Sequence, residues 1–583
     1  MVDDCPVDKH GDDLAQGDPE DRNAVDGDAP SIAGPGGESG VDLGEISERI
    51  ASVTAKVPEI GDAWRWYDFP YRLLKWVLWG QHRVRLPWRV QVLFLRWLNY
   101  FHPFNEHDRN RVEPRDDRMQ NMLLPEGEAV EHGGIWVVEF FPPSRYDQLR
   151  KSLRHAGWDR DDLTRAAPGS NLDLLDVART GHGPAWWRLG DVAAPGGGDS
   201  GFRAVREVLP PEFSRVEVTA IQVGEGLTAV VAFFLFSDAG THALDLEWKR
   251  DHEPALRFRG ARRALAINRH FAAIEATRRE RQRIGDAARD WLGRKLPGYF
   301  AEQPDRQPVV ELILLADFDH EKDHLDRKFS SSLRALGLDE PFVRITSPEL
   351  PGLLLIPADG SGPHDEVLRN SWGLTGKLDR VVELVQEPGT GWTASTAGHV
   401  AHVLDKSVRQ FLLYAGVTEY VRDLRVTQAR ARDLGASRHG RFRPRALKRL
   451  RRELLKDGLD LPHVARDTGY LWKGWFRSLV PFHLHEQLDQ RYAIKPVAER
   501  DMLKQLGKNR ERLFRELMND SLSYREVMAV TASIGASIET SRLGRLALWV
   551  SVGSLVVAGV TLLMASTQGP SLWSSLIAWW AAR

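Results

Sequence analysis

The sequence predicts an α+β cytoplasmic region, followed by a mainly helical region and a single C-terminal transmembrane helix. Three patterns support this fold class. Leu546 to Ala565 are twenty residues without a charge, strand-like and helix-like runs mix over residues 130–395, and helical spacing dominates residues 398–541. A helix of twenty residues is about 30 Å long, which matches the hydrocarbon core of a bilayer. A buried helix inside a large soluble core is the alternative interpretation of the apolar run.

The charges that flank the apolar run predict its orientation. Arg542 and Arg545 come directly before it, whereas the segment after it carries only Arg583. Because basic residues favour the cytoplasmic side, the chain before the run is expected in the cytoplasm. The sequence therefore predicts a tail-anchored protein of the cell membrane, single-pass, with a cytoplasmic N-terminus. Residues 571–583 are too short to cross again and, being rich in Trp, are predicted to lie at the membrane interface.

Small side chains recur at steps of three and four residues within residues 546–565. This stripe consists of Ala547, Ser551, Ser554, Ala558, Thr561 and Ala565. Helices in lipid associate through small faces of this kind, so the stripe predicts a homo-oligomer. The alternative is that such residues are simply frequent in membrane helices.

Composition separates an acidic tail from a basic body. Residues 1–45 contain 13 Asp or Glu against Lys9 and Arg22, with little to bury, and are predicted to be disordered. Since the whole chain carries a formal charge of −2, the remainder is net basic. Cys5 is the only cysteine, which leaves no disulfide framework or cysteine metal site. Arg is far commoner than Lys, a usage typical of GC-rich bacterial genomes.

Residues 46–125 form an aromatic and basic segment with helical spacing. Tyr71 to Trp79 is predicted as one helix, and Pro87 is expected to open a second. Two interpretations stay open. The pair could lie on an anionic inner leaflet, with Trp at headgroup depth and Arg on phosphates. Alternatively, both are core helices whose aromatic side chains pack on the next domain.

Residues 130–300 are predicted to form an α+β domain. Ile135 to Phe141 reads as a strand, and the runs 215–223 and 227–236, separated by Gly224-Glu-Gly226, predict a hairpin. The second run is almost continuously apolar, so both of its faces should be covered. An amphipathic helix is expected over residues 262–296, with its many Arg side chains in solvent. Residues 305–395 are predicted as a second α/β or α+β unit, beginning with the strand 309–316.

Residues 398–541 are predicted to be a mainly helical, basic region and stalk. Heptad-like spacing of apolar residues over 503–538 indicates a coiled or packed stalk. On one straight helix, these apolar residues and the small-residue stripe would face different directions. A kink or break is therefore expected within residues 533–544. Seven basic residues are candidates for phosphate or anionic lipid headgroups: Arg441, Arg443, Arg445, Lys448, Arg449, Arg451 and Arg452. The lipid bilayer is the favoured partner of this tethered chain, and nucleic acid is an unlikely one.

The most specific local motif is His320-Glu-Lys-Asp-His324, an H-E-x-x-H string. On a helix, both imidazoles could bind zinc while Glu321 activates a bound water. The string resembles the active-site motif of zincin metallopeptidases, and this resemblance implies His320 and His324 as ligands, Glu321 as the base, and Glu340, Glu349 or Glu366 as a third ligand. Its middle residues, Lys322 and Asp323, depart from the uncharged pair usual there. The favoured alternative is that these residues are simply the charged start of a helix after a strand. The sequence therefore favours a protein that is not an enzyme and holds no cofactor.

Two weaker signals concern metals and channels. His483 and His485 could bind a metal, although packing in their aromatic segment explains them better. The order of cytoplasmic region, basic stalk and C-terminal span resembles the CorA class of divalent-cation channels. That class carries a Gly-Met-Asn signature, where this chain has Met564-Ala-Ser-Thr-Gln-Gly569. The leading hypothesis is therefore a membrane-anchored interaction or sensing module, with the channel and the peptidase as alternatives.

Overall fold

A computed structural model describes most of the chain after residue 64. The described residues are 65–79, 86–112, 122–159, 169–181, 185–195, 205–258, 264–323, 326, 328–329, 331–338, 344–357, 370–385, 397–437, 460–469, 483–485, 500–564 and 572–583. The predicted acidic tail, residues 1–45, and the seven basic candidates of 441–452 lie outside them.

Helices and strands are interspersed along the described chain up to residue 385. The helices are α1 Asp68–Trp79, α2 Trp88–Val112, α3 Tyr146–His155, α4 Asn171–Thr180, α5 Asp238–Lys249, α6 Arg269–Lys295, α7 Ser332–Ala335, α8 Leu378–Val385, α9 Ala397–Ser437, α10 (460–469), α11 Met502–Met564 and α12 Leu572–Ala581. The strands are β1 Val130–Phe141, β2 Ala185–Ala193, β3 Val205–Arg206, β4 Phe213–Gln222, β5 Thr228–Phe236, β6 Ala255–Phe258, β7 Ala264–Ile267, β8 Val309–Leu315, β9 Arg344–Thr346, β10 Leu353–Pro357, β11 Ser371–Lys377, β12 His483–His485 and β13 Arg500–Asp501.

Eleven of these strands form one mixed sheet, in the order β13-β12-β9-β10-β11-β8-β1-β5-β4-β2-β3. Strand β8 lies at its centre and β1 lies beside it. Strand β1 is antiparallel to both β5 and β8, whereas β8 and β11 run parallel. The sheet therefore takes strands from both predicted units, 130–300 and 305–395, and the two segments share a core. Strands β6 and β7 form a separate hairpin.

The sheet is covered by helices on both faces, because alternate side chains of its central strands enter two cores. Trp136, Val138 and Phe140 of β1 pack with α9 and with Phe514 and Leu517 of α11. The intervening residues of β1 pack with α3, α4, α5 and α6 on the other face. Side chains of β5 divide in the same way, which confirms that both faces of this strand are covered. The predicted hairpin of β4 and β5 is also confirmed.

The prediction that the arginines of α6 are solvated is wrong for four of them. Arg269, Arg278, Arg281 and Arg289 are buried. Arg278 Nε donates to the Gly337 carbonyl at 3.0 Å, and Nε and Nη2 of Arg289 donate to the Gln307 carbonyl at 3.1 and 2.9 Å. A guanidinium offers five donors in a fixed plane, so it can satisfy loop carbonyls that helices and strands leave unpaired.

A break within residues 533–544 is not present, since α11 continues as one helix from Met502 to Met564, whereas a kink there stays a prediction. Its first turns pack on α9, with Leu517 and Phe514 buried, and its last turns are apolar. No proline lies within it, and single glycines such as Gly535 and Gly544 weaken a helix by only about 1 kcal/mol each. The stalk and the apolar segment are therefore one continuous element.

Helix α10 is held to the hairpin of β4 and β5 by the buried carboxylate of Asp467. Its Oδ2 accepts the backbone N–H groups of Gly226 and, at 2.8 Å, of Leu227. The fit requires glycine, because a Cβ on Gly224 would lie 2.5 Å from the Asp467 Cγ. At the other end of α10, Asp460 accepts the Ser144 backbone N–H at 2.9 Å.

Replacing Asp467 with Ala is expected to destabilise this attachment. The change leaves two buried N–H groups without an acceptor, at about 1–3 kcal/mol each, so the free energy of unfolding should fall by about 2–6 kcal/mol. Arg466→Ala is the matched control, because it removes a half-exposed ion-pair partner of Asp467 and Glu225 but leaves the acceptor of both buried N–H groups in place. Thermal unfolding in detergent measures both variants. Equal losses for the two would contradict this role of Asp467.

Candidate membrane anchor and candidate metal site

The apolar part of α11 is exposed on all sides. One stretch of 20 residues, Leu543–Leu562, is long and apolar enough to cross a membrane, with a mean hydropathy of 1.8 and none of it buried. Leu555 is 76% exposed and Trp549 72%. A core helix of a soluble protein would bury such side chains, each worth about 1.5–3 kcal/mol. The alternative of a core helix therefore does not fit the described contacts of this stretch.

The small-residue stripe stays uncovered along this helix. Ala547, Ser551, Ser554, Ala558 and Thr561 are all exposed, and Ala565 lies outside the described residues. The Thr561 hydroxyl donates to the carbonyl of Val557 at 2.6 Å, within its own helix. Self-association through the stripe stays a prediction, because a single chain does not test it.

The segment after the apolar helix forms α12, with Trp579 58% and Trp580 76% exposed. The Arg583 guanidinium lies 4.8 Å from the centre of the Trp579 ring. At about 15 Å, ten helical residues are too short to cross a bilayer. Trp and Arg together are typical of an interfacial segment.

The H-E-x-x-H string lies on turns, so the helical geometry predicted for zinc binding is wrong for residues 320–323. Asp319 explains the difference. Its carboxylate accepts the backbone N–H of Glu321 at 3.0 Å, and its own N–H donates to the carboxylate of Asp323 at 2.9 Å. Such local bonds from Asp compete with helix formation.

Glu321, the proposed base, pairs with a cation. The guanidinium of Arg380 lies 2.7 Å from the Glu321 carboxylate and 3.2 Å from that of Asp319. His320 is buried in the same turn, while His324 lies outside the described residues. In this arrangement, Arg380 of α8 fastens the turn to the end of β11.

The remaining metal candidates are described only in part. Glu349 is exposed and accepts the Ser347 hydroxyl at 3.0 Å, whereas Glu340 and Glu366 lie outside the described residues. His483 and His485 lie on β12, which pairs with β9 and β13. Among the residues that the structure describes, no three His, Cys, Asp or Glu side chains are grouped so as to hold a metal ion.

Glu139 is a buried acid that the sequence patterns do not single out. Glu139 is fully buried in β1, and its Oε1 accepts the backbone N–H groups of Phe140 at 2.9 Å and Phe300 at 2.6 Å. Burial raises the pKa of Glu139 to about 8, against a smaller opposing effect of these hydrogen bonds. The carboxyl group fastens the loop after α6 to the centre of the sheet. The only sequence signal for this role is the single Glu within the apolar run Ile135 to Phe141.

The helix pair α1 and α2 is packed on one side, as expected for core helices, and exposes large apolar side chains on the other, as expected for a pair that lies on a membrane. Tyr67, Tyr71, Leu98 and Phe101 form a small core between the helices. The pair also contacts the β6–β7 hairpin, where the rings of Phe104 and Phe258 lie 6.1 Å apart. Other large side chains of the pair are exposed: Trp66, Phe69, Leu73, Trp76, Trp79, Trp88, Leu93 and Trp97.

In comparisons with known proteins, no family model, curated protein or solved structure matches this chain.

Proposed function

We propose that the protein is a single-pass membrane protein whose three-layer α/β body faces the cytoplasm and acts as an interaction or sensing module. The observation that carries this proposal is the complete exposure of Leu543–Leu562, a helix of membrane-spanning length. Lipid is the environment in which such a helix is stable without protein contacts. The excess of Arg before it and its near absence after it support the orientation.

The continuity of α11 gives the proposal a physical link between body and membrane. One end of this helix packs on α9 within the sheet's core, and the other is the proposed span. A change in helix association within the bilayer would therefore act on the body through one continuous helix. This link supports a function in which the α/β body responds to the association of its membrane helices.

Membrane flotation of the full chain tests the anchor. After extraction with alkaline carbonate, which removes peripheral proteins, the protein should float with lipid in a density gradient. Recovery of folded protein in the soluble fraction without detergent would contradict the proposal.

Self-association should depend on the small-residue stripe. Replacing Ser551 and Ala558 with Leu separates the close faces of two helices, so the proportion of dimer and larger species should fall severalfold. Val552→Leu with Val556→Leu is the matched control, because both residues lie away from the stripe. Energy transfer between donor- and acceptor-labelled chains in vesicles measures the effect. If both pairs of changes act alike, the stripe is not the interface.

A further inference from the structure

Helix α1 presents two apolar sides, and only one of them is used in packing. Tyr71 is buried against α2, and Leu74 and Leu78 pack beside it. Phe69, Leu73 and Trp76 follow at helical steps on the opposite side and are 71%, 47% and 55% exposed. In the described part of the chain, this second side is left in solvent. Exposed apolar surface of this extent marks a contact site.

Helix α2 adds a groove that combines apolar and cationic side chains. Trp88, Arg89, Val92, Leu93 and Arg96 line it. Arg89 and Arg96 are seven residues apart, so they project from one side of the helix, with Val92 and Leu93 between them. Both guanidinium groups are exposed. The groove therefore offers two donors for anionic groups beside apolar surface.

The charge of this segment selects among possible occupants. From Phe69 to Asn105 there is no Asp or Glu, against six Lys or Arg: Arg72, Lys75, Arg83, Arg85, Arg89 and Arg96. A second copy docking on the same face would bring like charges together. An anionic bilayer matches both properties, because Trp is favoured at headgroup depth and each basic side chain near the surface strengthens binding about fivefold.

We propose that α1 and α2 dock on anionic lipid headgroups, with Phe69, Trp76 and Trp88 in the headgroup layer and Arg89 and Arg96 on phosphates. This inference rests on the proposed function, because the span keeps the body beside the bilayer. The pair is held to the body through α2, whose Arg111 carbonyl accepts from Arg269 Nη2 at 2.9 Å. Docking would thus give the α/β body a second membrane contact, whose strength depends on the anionic lipid content of the bilayer.

Environment-sensitive probes on the full chain test the docking. Starting from Cys5→Ser, single cysteines at Trp76, Trp88, Val177 and Val556 are labelled with a nitrobenzoxadiazole dye. Val177 is the control, since it is apolar and 65% exposed on α4 of the body, and Val556 reports on the span. Each chain is reconstituted in vesicles of phosphatidylcholine alone or mixed with phosphatidylglycerol, with and without nitroxide lipid as quencher.

Probes at Trp76 and Trp88 should shift to shorter wavelength and be quenched by nitroxide lipid in the anionic vesicles only, while the Val177 probe stays in water. Arg89→Glu with Arg96→Glu should abolish the shift, and the matched pair Lys151→Glu with Arg154→Glu on α3 should not. Water-exposed probes at Trp76 and Trp88 would overturn the docking, as would a shift without quenching, which indicates a second copy. Lipid exposure at Val556 reports on the anchor separately, so failure of either proposal is distinguishable.

Discussion

Aspartate at positions 552 and 555 should release the protein from the membrane. Val552 and Leu555 lie near the middle of the proposed span and are exposed. Each Asp at the centre of a span costs about 2.5–3.5 kcal/mol on the insertion scale, so Val552→Asp with Leu555→Asp costs about 6 kcal/mol. The ten Leu and Val residues of 546–565 contribute about 3–6 kcal/mol in the opposite direction. The cost of the two Asp residues is similar in size to the favourable contribution of the Leu and Val residues, so insertion should be largely lost.

A control in the same helix separates this effect from general damage. Leu522 is 60% exposed on α11 but lies before the apolar stretch, so Leu522→Asp should leave membrane association unchanged. Flotation after carbonate extraction measures all variants. Carbonate-resistant flotation of the double Asp variant would show that residues 543–562 do not cross the bilayer.

The second large effect concerns the pH dependence of stability and arises from Glu139. Its pKa is about 8 in the folded protein, against an ordinary value of 4.5. Between these values the folded state binds one proton more than the unfolded state. Stability from this group is therefore fully present below about pH 4.5 and is lost as pH rises towards 8, by about 1.4 kcal/mol per unit. The whole window amounts to several kcal/mol.

Glu139→Gln should remove this slope. A Gln side chain keeps an acceptor for the N–H groups of Phe140 and Phe300 but carries no ionisable proton. The melting temperature of the variant should thus rise above that of the unchanged protein as pH increases from 5 to 8. Contributions of other groups cancel in the difference, including His132, whose pKa is lowered by burial. Parallel melting curves across this range would show that Glu139 is ionised in the fold.

The sequence predicts the central strands well because their apolar runs are long. Residues 227–236 had to be covered on both faces, and the described sheet places α6 and α9 on opposite sides of it. The pairing of β1 with β8 could not be predicted in this way, since hydrophobic pattern does not encode which strands become neighbours. This pairing joins residues 130–300 and 305–395 into one sheet. Because the sequence pattern does not show it, the sequence predicts two separate units.

Polar residues were harder to place than apolar ones. The four-residue spacing of His320 and His324 is that of a helical motif, but Asp319 makes local hydrogen bonds that turn the chain at residues 319–323 instead. Likewise, Arg289 and Asp467 look like surface residues in sequence, and each is buried because it satisfies backbone groups of a distant loop. Such roles depend on tertiary contacts, which one-dimensional patterns do not contain.

Cysteine accessibility tests the central claim, a single span with the body in the cytoplasm, most directly. In a Cys5→Ser background, cysteines at Val177 and Ala582 are treated with a membrane-impermeant maleimide in intact bacterial spheroplasts and again after lysis. The account predicts labelling at position 582 before lysis and at position 177 only after it. Labelling of Val177→Cys in intact spheroplasts, or of neither position until lysis, would contradict the account.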